Sequence, residues 1–186
     1  ALHLLDAFKH PNEIGERLGI QGDALLVAAT HNHAGPATAS INNPREEEYC
    51  QWMVERVGEA LEAAVEALTP ARLAVQSCTE GRISFVRRYR MKDGSTRTHP
   101  PQASRDMRCA EGVIDPELGI VCVVDENESV LGFLTNFTCH PTHHGGDTTI
   151  SGGWPGQFAQ SMKGAFGPDI VNVFLNGAFG DVHHAN

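Results

Sequence analysis

Three apolar segments of the sequence each run into histidine, two of them directly and one through a glycine turn. Short apolar runs bounded by polar residues are typical of buried strands. In an α/β sheet such strands end at one edge, where loops build sites, so histidines far apart in sequence are expected to meet there. The segments and their histidines are 24–30 before His31-Asn32-His33, 133–139 before His140, and 170–175 before His183-His184.

Helical periodicity predicts one long helix after Asn43. Asn43 is a suitable N-cap, Pro44 fits the first helical position, and Glu46 stands three residues after the cap. An apolar face then repeats at helical spacing until Thr69-Pro70 ends the helix. The members of this face are Val54, Val57, Leu61, Ala64, Val65 and Leu68.

Two β-branched runs, 119–124 and 130–138, predict a hairpin because the residues between them, Asp125 to Ser129, are turn formers. An antiparallel pair must therefore interrupt any parallel sheet. We also expect helices over 11–18 and 155–166, strands over 73–77 and 83–88, and a long polar loop over 92–115. Together these elements predict an α/β fold, with a mixed sheet, helices packed on it and a metal site at the strand ends.

Length and charge narrow the class of protein. The 186 residues fit one domain, and the formal net charge of −9 argues against a nucleic-acid partner. The one basic run, 87–92, is interpreted as a solvated loop face. No apolar stretch reaches the ~18–20 residues of a membrane span, and no signal sequence opens the chain as given. The compartment and the oligomeric state stay open, with secretion or a periplasmic location open for a longer protein.

Histidine is the residue that carries the predicted chemistry. Imidazole is the commonest metal ligand, and zinc in hydrolases typically takes three protein ligands and a water. His31 and His33 stand at i and i+2, so on an extended segment both address the same cavity. Such an ion activates water near neutral pH and polarises an amide carbonyl. The five cysteines form no C-x-x-C pair, so a cysteine zinc site is not expected.

Several segments resemble the neutral, zinc-dependent ceramidases. Thr30-His31-Asn32-His33-Ala34-Gly35-Pro36 is similar to the family's T-H-T-H-S-G-P, which also follows an apolar strand. Asn136 to Pro141 resembles its second histidine strand, Ile150-Ser151-Gly152 its I-S-G, and Gly180-Asp181-Val182 its G-D-V turn. The motifs occur in the family's order. They suggest a divergent, bacterial-type member of the superfamily, with 1–186 as a single, incomplete N-terminal catalytic domain.

The resemblance implies a zinc hydrolase that cleaves an N-acyl amide bond in a small or lipid-like substrate. By motif position, His31 and His140 would be zinc ligands, and His33 would support a ligand or stabilise the transition state. Arg87 is the match to a family arginine between the histidines. The family's glutamate and tyrosine ligands lie farther along than this chain extends.

The sequence also departs from the family pattern at two positions. His183 replaces a serine after G-D-V, so a covalent acyl-serine route is not expected. Gly153 replaces an acidic residue after I-S-G. These departures keep a second hypothesis open, a catalytically silent metal- or ligand-binding relative.

The predicted site has two parts. One zinc ion per chain is expected on His31 and His140, with His184, or else His183 or a carboxylate farther along the chain, completing its shell. His33, Arg87 and His183 are the expected catalytic residues. A structural role is the alternative for each histidine, because a strand-end imidazole can simply hydrogen-bond a backbone carbonyl. For His33 and for the pair His183-His184 the two interpretations stay balanced.

Overall fold

The computed structural model describes residues 15, 18–20, 24–40, 43–142 and 148–184. The chain divides into two compact units, Ala1–Ala29 with Gly35–Pro70, and Thr30–Ala34 with Ala71–Asn186. That 1–186 form a single domain stays a prediction. The helix predicted over 11–18 falls largely outside the described residues.

The first unit contains the long helix α1, Glu47–Glu66. The predicted N-cap, Asn43, is wrong, because Glu46 occupies that position. The backbone N–H of Glu46 donates to the carbonyl of Ala37 at 2.8 Å, and the Glu46 carboxylate accepts from the Ala37 N–H at 3.3 Å. With these two bonds ahead of it, the helix starts three residues later than the capping pattern predicts.

The strand predicted over 24–30 is wrong. Residues 25–30 have no regular secondary structure and pair with no strand in the described part of the chain. Exposure alternates along the segment as in extended chain, and the side chain of Leu26 is 80% exposed. A strand requires a hydrogen-bonded neighbour, which an apolar pattern cannot specify by itself.

The second unit is built on a mixed four-stranded sheet, which confirms the predicted α/β class. Its strands are β1 Arg72–Thr79, β6 Glu117–Val124, β7 Val130–Phe137 and β8 Val171–Asn176. They lie in the order β1-β6-β7-β8, with β7 and β8 parallel and the other neighbours antiparallel. The predicted hairpin is confirmed as β6 and β7, and the Asp125 carboxylate closes its turn by accepting the N–H groups of Asn127 and Ser129.

The helix α2, Gly153–Phe166, packs on one face of this sheet, as predicted. Its Trp154 and Phe166 rings lie 4.8 and 4.9 Å from those of Phe174 and Phe133. Gly167, at φ +118°, ends the helix in a conformation that favours glycine. The opposite face carries exposed apolar side chains, including Val75 and Val173.

Two small sheets flank the main one. Strand β2, Phe85–Val86, pairs with β9, Val182–His183. Strand β3, Arg88–Met91, lies between β4, Thr96–Thr98, and β5, Met107–Ala110, in a second antiparallel sheet.

The long loop predicted over 92–115 is therefore wrong. It holds two short strands, β4 and β5, which form by pairing with β3. None of the helices in the described part of the chain is long and apolar enough to cross a membrane. All five cysteines are free thiols.

Candidate metal centre

Three histidines from distant parts of the sequence converge in the second unit. His31, His33 and His140 each offer a ring nitrogen, and these nitrogens all lie within 4.8 Å of one another. The Nε2 atoms of His31 and His33 are 2.9 Å apart. The His31 ring also meets the His140 ring edge-on, with centroids 5.0 Å apart. Three imidazole nitrogens at this separation can bind one ion after small side-chain rotations.

The backbone around His31 is not the extended segment that the i, i+2 argument assumes. His31 adopts φ +61°, a left-handed conformation that is uncommon outside glycine. Asn32 fixes this bend, because its side-chain oxygen accepts the Ala34 N–H at 3.0 Å and its amide donates to the Ser151 carbonyl at 2.6 Å. The Ser151 N–H in turn donates to the Ala34 carbonyl. His31 and His33 thus reach the same place through a strained turn.

His140 lies just beyond the end of β7 and is 4% exposed. Its Nδ1 lies 3.3 Å from the carbonyl oxygen of Phe179, which fixes the ring if Nδ1 carries the proton. Nε2 is then the nitrogen left for an ion, the usual arrangement of a metal-binding histidine. The Trp154 indole donates to the His140 carbonyl at 3.0 Å and so anchors the backbone as well.

Burial and repulsion between neighbours favour the neutral imidazoles of His31 and His140. Burial is the largest cause that lowers the pKa of His31 to about 4, followed by the neighbouring His33 and His140. Burial also lowers the pKa of His140, against the opposing hydrogen bond to Phe179. Burial raises the pKa of the adjacent Cys139 thiol to about 11, so that thiol is protonated at neutral pH. The ready electron-pair donors at this place are therefore the imidazoles.

Arg87 lies beside the cluster on the segment between β2 and β3. Its Nε and Nη2 atoms donate to the Gly180 carbonyl at 3.1 and 2.6 Å, and its backbone N–H donates to the Asp181 carbonyl at 2.9 Å. The guanidinium charge contributes to the lowered pKa values of His31 and His140. Pairing of β2 with β9 brings the glycine turn to Arg87, so the predicted proximity of this arginine to the histidines is observed.

The two histidines after the glycine turn form a different group. The His183 and His184 rings stack with centroids 4.2 Å apart, and His183 also stacks at 5.6 Å on His140. The Nδ1 of His184 lies 3.4 Å from the His140 carbonyl. Burial, and next His184 and His99, lower the pKa of His183 to about 4. Both histidines border the centre, but neither belongs to the group of converging nitrogens; their ligand and catalytic roles stay predictions.

The backbone at Gly153, which replaces an acidic residue of the family pattern, requires a glycine. It has φ +62°, and a Cβ at this position would lie 2.7 Å from the Pro141 carbonyl oxygen. An acidic side chain cannot be added here without moving the backbone that follows His140.

Three residues that support the centre have no predicted role. They are Asn32, Phe179 and Trp154, described above. Among the rings that the structure describes, the His99 ring contacts only that of His183, at 4.9 Å, and lies outside this group. Among the three supporting residues, only Asn32 could have been suspected from the sequence, because it stands between two histidines. Phe179 acts through its carbonyl and its ring contacts with His31 and His140, which no residue pattern encodes.

The fold and the centre define an α/β protein with a mixed sheet and a histidine cluster near its strand ends. Comparison with solved structures finds the fold of a neutral ceramidase from Pseudomonas aeruginosa, with a TM-score of 0.58, 21% identity and coverage of 75% of this chain. A ceramidase complexed with C2 matches with a TM-score of 0.59, again at 21% identity and 75% coverage. This chain spans about a fifth of each, covering 21% of their length. No protein-family model and no curated protein matches the sequence.

Proposed function

We propose that this chain forms part of a metal-dependent hydrolase that cleaves N-acyl amides, and that His31, His33 and His140 hold one zinc ion. The observation that carries the proposal is the convergence of three imidazole nitrogens within 4.8 Å. The likeness in fold to two ceramidase structures supports a hydrolase of this kind.

The donor set fits zinc. Three neutral imidazoles with a water in the fourth position are a known zinc coordination in hydrolases. The carbonyl at His140 Nδ1 matches the partner that zinc-binding histidines usually have. The resemblance implies a supporting role for His33, whereas we propose His33 as a ligand. Its Nε2 lies 2.9 Å from that of His31 and so within reach of the same ion. When bound, zinc supplies an activated water and polarises the carbonyl.

The side chains around the centre can position the substrate and move its protons. The amide carbonyl of the substrate is placed against the histidine cluster. The Arg87 guanidinium orients that carbonyl or a carboxylate of the substrate. Water adds to the acyl carbon, the C–N bond breaks, and the amine leaves with a proton, giving a carboxylic acid and an amine. His183, whose ring stacks on that of His140 with centroids 5.6 Å apart, is the proposed proton carrier.

A second candidate function is a metal- or ligand-binding relative without turnover. The two sequence departures favour it, since His183 stands in place of the family serine and Gly153 in place of an acid. The two hypotheses share the metal and differ in the reaction.

A screen of N-acyl amides and esters with zinc-loaded protein separates them. Hydrolysis that is lost in His31→Ala together with the metal, while Arg87→Gln keeps the metal and loses rate, supports the hydrolase. A protein that holds zinc tightly and turns over none of these substrates supports the binding relative instead. A protein that binds no zinc contradicts both.

A further inference from the structure

The three-stranded sheet β4-β3-β5 concentrates positive charge in an acidic protein. Residues 88–108 contain six of the chain's 14 Lys and Arg and two of its 23 Asp and Glu, so this segment is net +4 and the rest of the chain is net −13. All six cationic side chains are exposed. They are Arg88, Arg90, Lys92, Arg97, Arg105 and Arg108. We call this sheet with its two connecting loops, 88–108, the cationic sheet.

Most of this charge is not neutralised locally. Arg88 forms an ion pair with Glu111, and Arg97 lies 3.7 Å from Asp93. No carboxylate in the described part of the chain lies within 4 Å of the other four cations. Those four are Arg90, Lys92, Arg105 and Arg108.

The backbone holds these cations in a fixed array. The turn at Lys92 is closed by the Met91 N–H, which donates to the Ser95 carbonyl at 2.8 Å, and the Lys92 N–H donates to the Asp106 carbonyl at 2.9 Å. Met91 is buried beneath the turn. The charges therefore project from an ordered scaffold, and binding does not first have to order a loop.

We infer that the cationic sheet binds the surface of a membrane that contains anionic lipids. Arg88 and Arg90 share one face of the sheet, and Arg97 takes the other. Exposed cations on one face of an ordered sheet suit a plane of anionic headgroups, to which each Lys or Arg near the surface contributes independently. The choice of a lipid surface rests on the proposed function, because a lipid-like amide resides in such a surface.

The same features argue against nucleic acid. Surfaces that bind single strands combine cations with several stacking aromatic rings, and the only Phe, Trp or Tyr in 88–108 is the half-buried Tyr89. A long polyanion would also meet the net charge of −13 on the remainder of the chain. A bilayer contacts only the surface that is turned towards it.

Co-sedimentation with vesicles tests this inference. The full chain should bind vesicles of phosphatidylcholine with about 30 mol % phosphatidylserine and not pure phosphatidylcholine, and salt should weaken binding. The triple variant Arg90→Gln, Lys92→Gln, Arg108→Gln should bind on the order of 100-fold more weakly, at about five-fold per cation. The matched control, Arg56→Gln, Arg72→Gln, Lys163→Gln, removes the same charge from exposed positions elsewhere and should bind as the parent does.

Several results would overturn the inference: equal binding to neutral vesicles, equal losses in both triple variants, or tighter binding to a DNA duplex than to the anionic vesicles. Arg90→Lys with Arg108→Lys should retain binding, which keeps the test decisive if the glutamine variant fails to fold. Hydrolysis of a soluble N-acyl amide is measured in parallel. Vesicle binding without hydrolysis would sink the proposed function alone, and hydrolysis without vesicle binding would sink this inference alone.

Discussion

Two groups of histidines in this chain look alike in sequence and differ in space. Each contains a pair close together, His31 with His33 and His183 with His184. The first pair aims its Nε2 atoms at each other, 2.9 Å apart, and meets His140, which lies more than 100 residues further along the chain. The rings of the second pair stack with centroids 4.2 Å apart, and the His183 ring also stacks on that of His140 at 5.6 Å.

The difference follows from the backbone and not from the spacing of the histidines. A left-handed His31, tied by Asn32 to Ser151, turns two imidazoles towards each other and towards His140. His183, in β9, and His184, just after it, instead stack their rings on each other, and the His183 ring also stacks on that of His140. Convergence of nitrogen atoms, and not the number of neighbouring histidines, identifies the ligands that we propose.

The largest effect is expected from removing a histidine of the converging group. His31→Ala or His140→Ala should weaken zinc binding by more than the 10–100-fold that loss of a supporting group costs, because a ligand itself is removed. Calorimetric zinc titration of each purified variant measures this. His99→Ala is the matched control at an exposed histidine, and it should bind zinc as the parent does.

The substitution His33→Ala tests whether both histidines of the first pair are zinc ligands. If His33 is a ligand, as its 2.9 Å contact with His31 indicates, zinc affinity should fall by more than the 10–100-fold that loss of a supporting group costs. The same titration decides the point. Unchanged affinity with a lower rate of hydrolysis would return His33 to the supporting role that the sequence predicted.

Asn32→Ala should have an intermediate effect. It removes both side-chain bonds that hold the His31 turn, and we expect about 10-fold weaker zinc binding, at the low end for supporting groups. Asn32→Asp can still accept the Ala34 N–H but cannot donate to Ser151, so its affinity should fall between those of the alanine variant and the parent. Equal affinities in all three proteins would mean that the turn does not depend on Asn32.

Substitutions in the second pair should affect zinc least. His184→Ala and His183→Ala leave the converging nitrogens in place, so we expect less than about a 10-fold change in affinity. His183→Ala should instead slow hydrolysis, because it removes the proposed proton carrier. A loss of zinc in His184→Ala as large as that in His140→Ala would move His184 into the ligand set, as the sequence predicted.

One histidine of each pair, His31 and His183, should also make the stability of the metal-free protein depend on pH. The pKa values of His31 and His183 are lowered from 6.5 to about 4, chiefly by burial, so the unfolded chain binds more protons between these values. The stability contributed by neutral imidazoles is complete above pH 6.5 and is lost as the pH falls towards about 4. Urea unfolding of the double variant His31→Gln, His183→Gln should show a flatter profile over this range; an unchanged slope would contradict the assignment.

The sequence predicted the mixed sheet and the hairpin because their signals are local. Asp125 to Ser129 are turn formers between β-branched runs, and Gly167 marks the end of α2. The helix start at Glu47 and the strands β4 and β5 depend on partners elsewhere, such as Ala37 and β3, so no local pattern reveals them.

The candidate site was predictable in its residues but not in its geometry. His31, His33, His140 and Arg87 stand together as the motifs suggest. The left-handed turn and the contact of His140 with the Phe179 carbonyl come from backbone atoms, which residue types do not specify. The specific roles of His183 and His184 remain predictions for the same reason.

Zinc binding by the metal-free chain, purified without a histidine tag, is the decisive measurement for the proposed centre. We predict one zinc ion per chain by elemental analysis and a stabilisation of about 2.7 kcal/mol at a zinc concentration of about 100 Kd, both lost in His31→Ala. A parent chain that takes up no zinc and shows no shift in its unfolding transition would contradict this prediction.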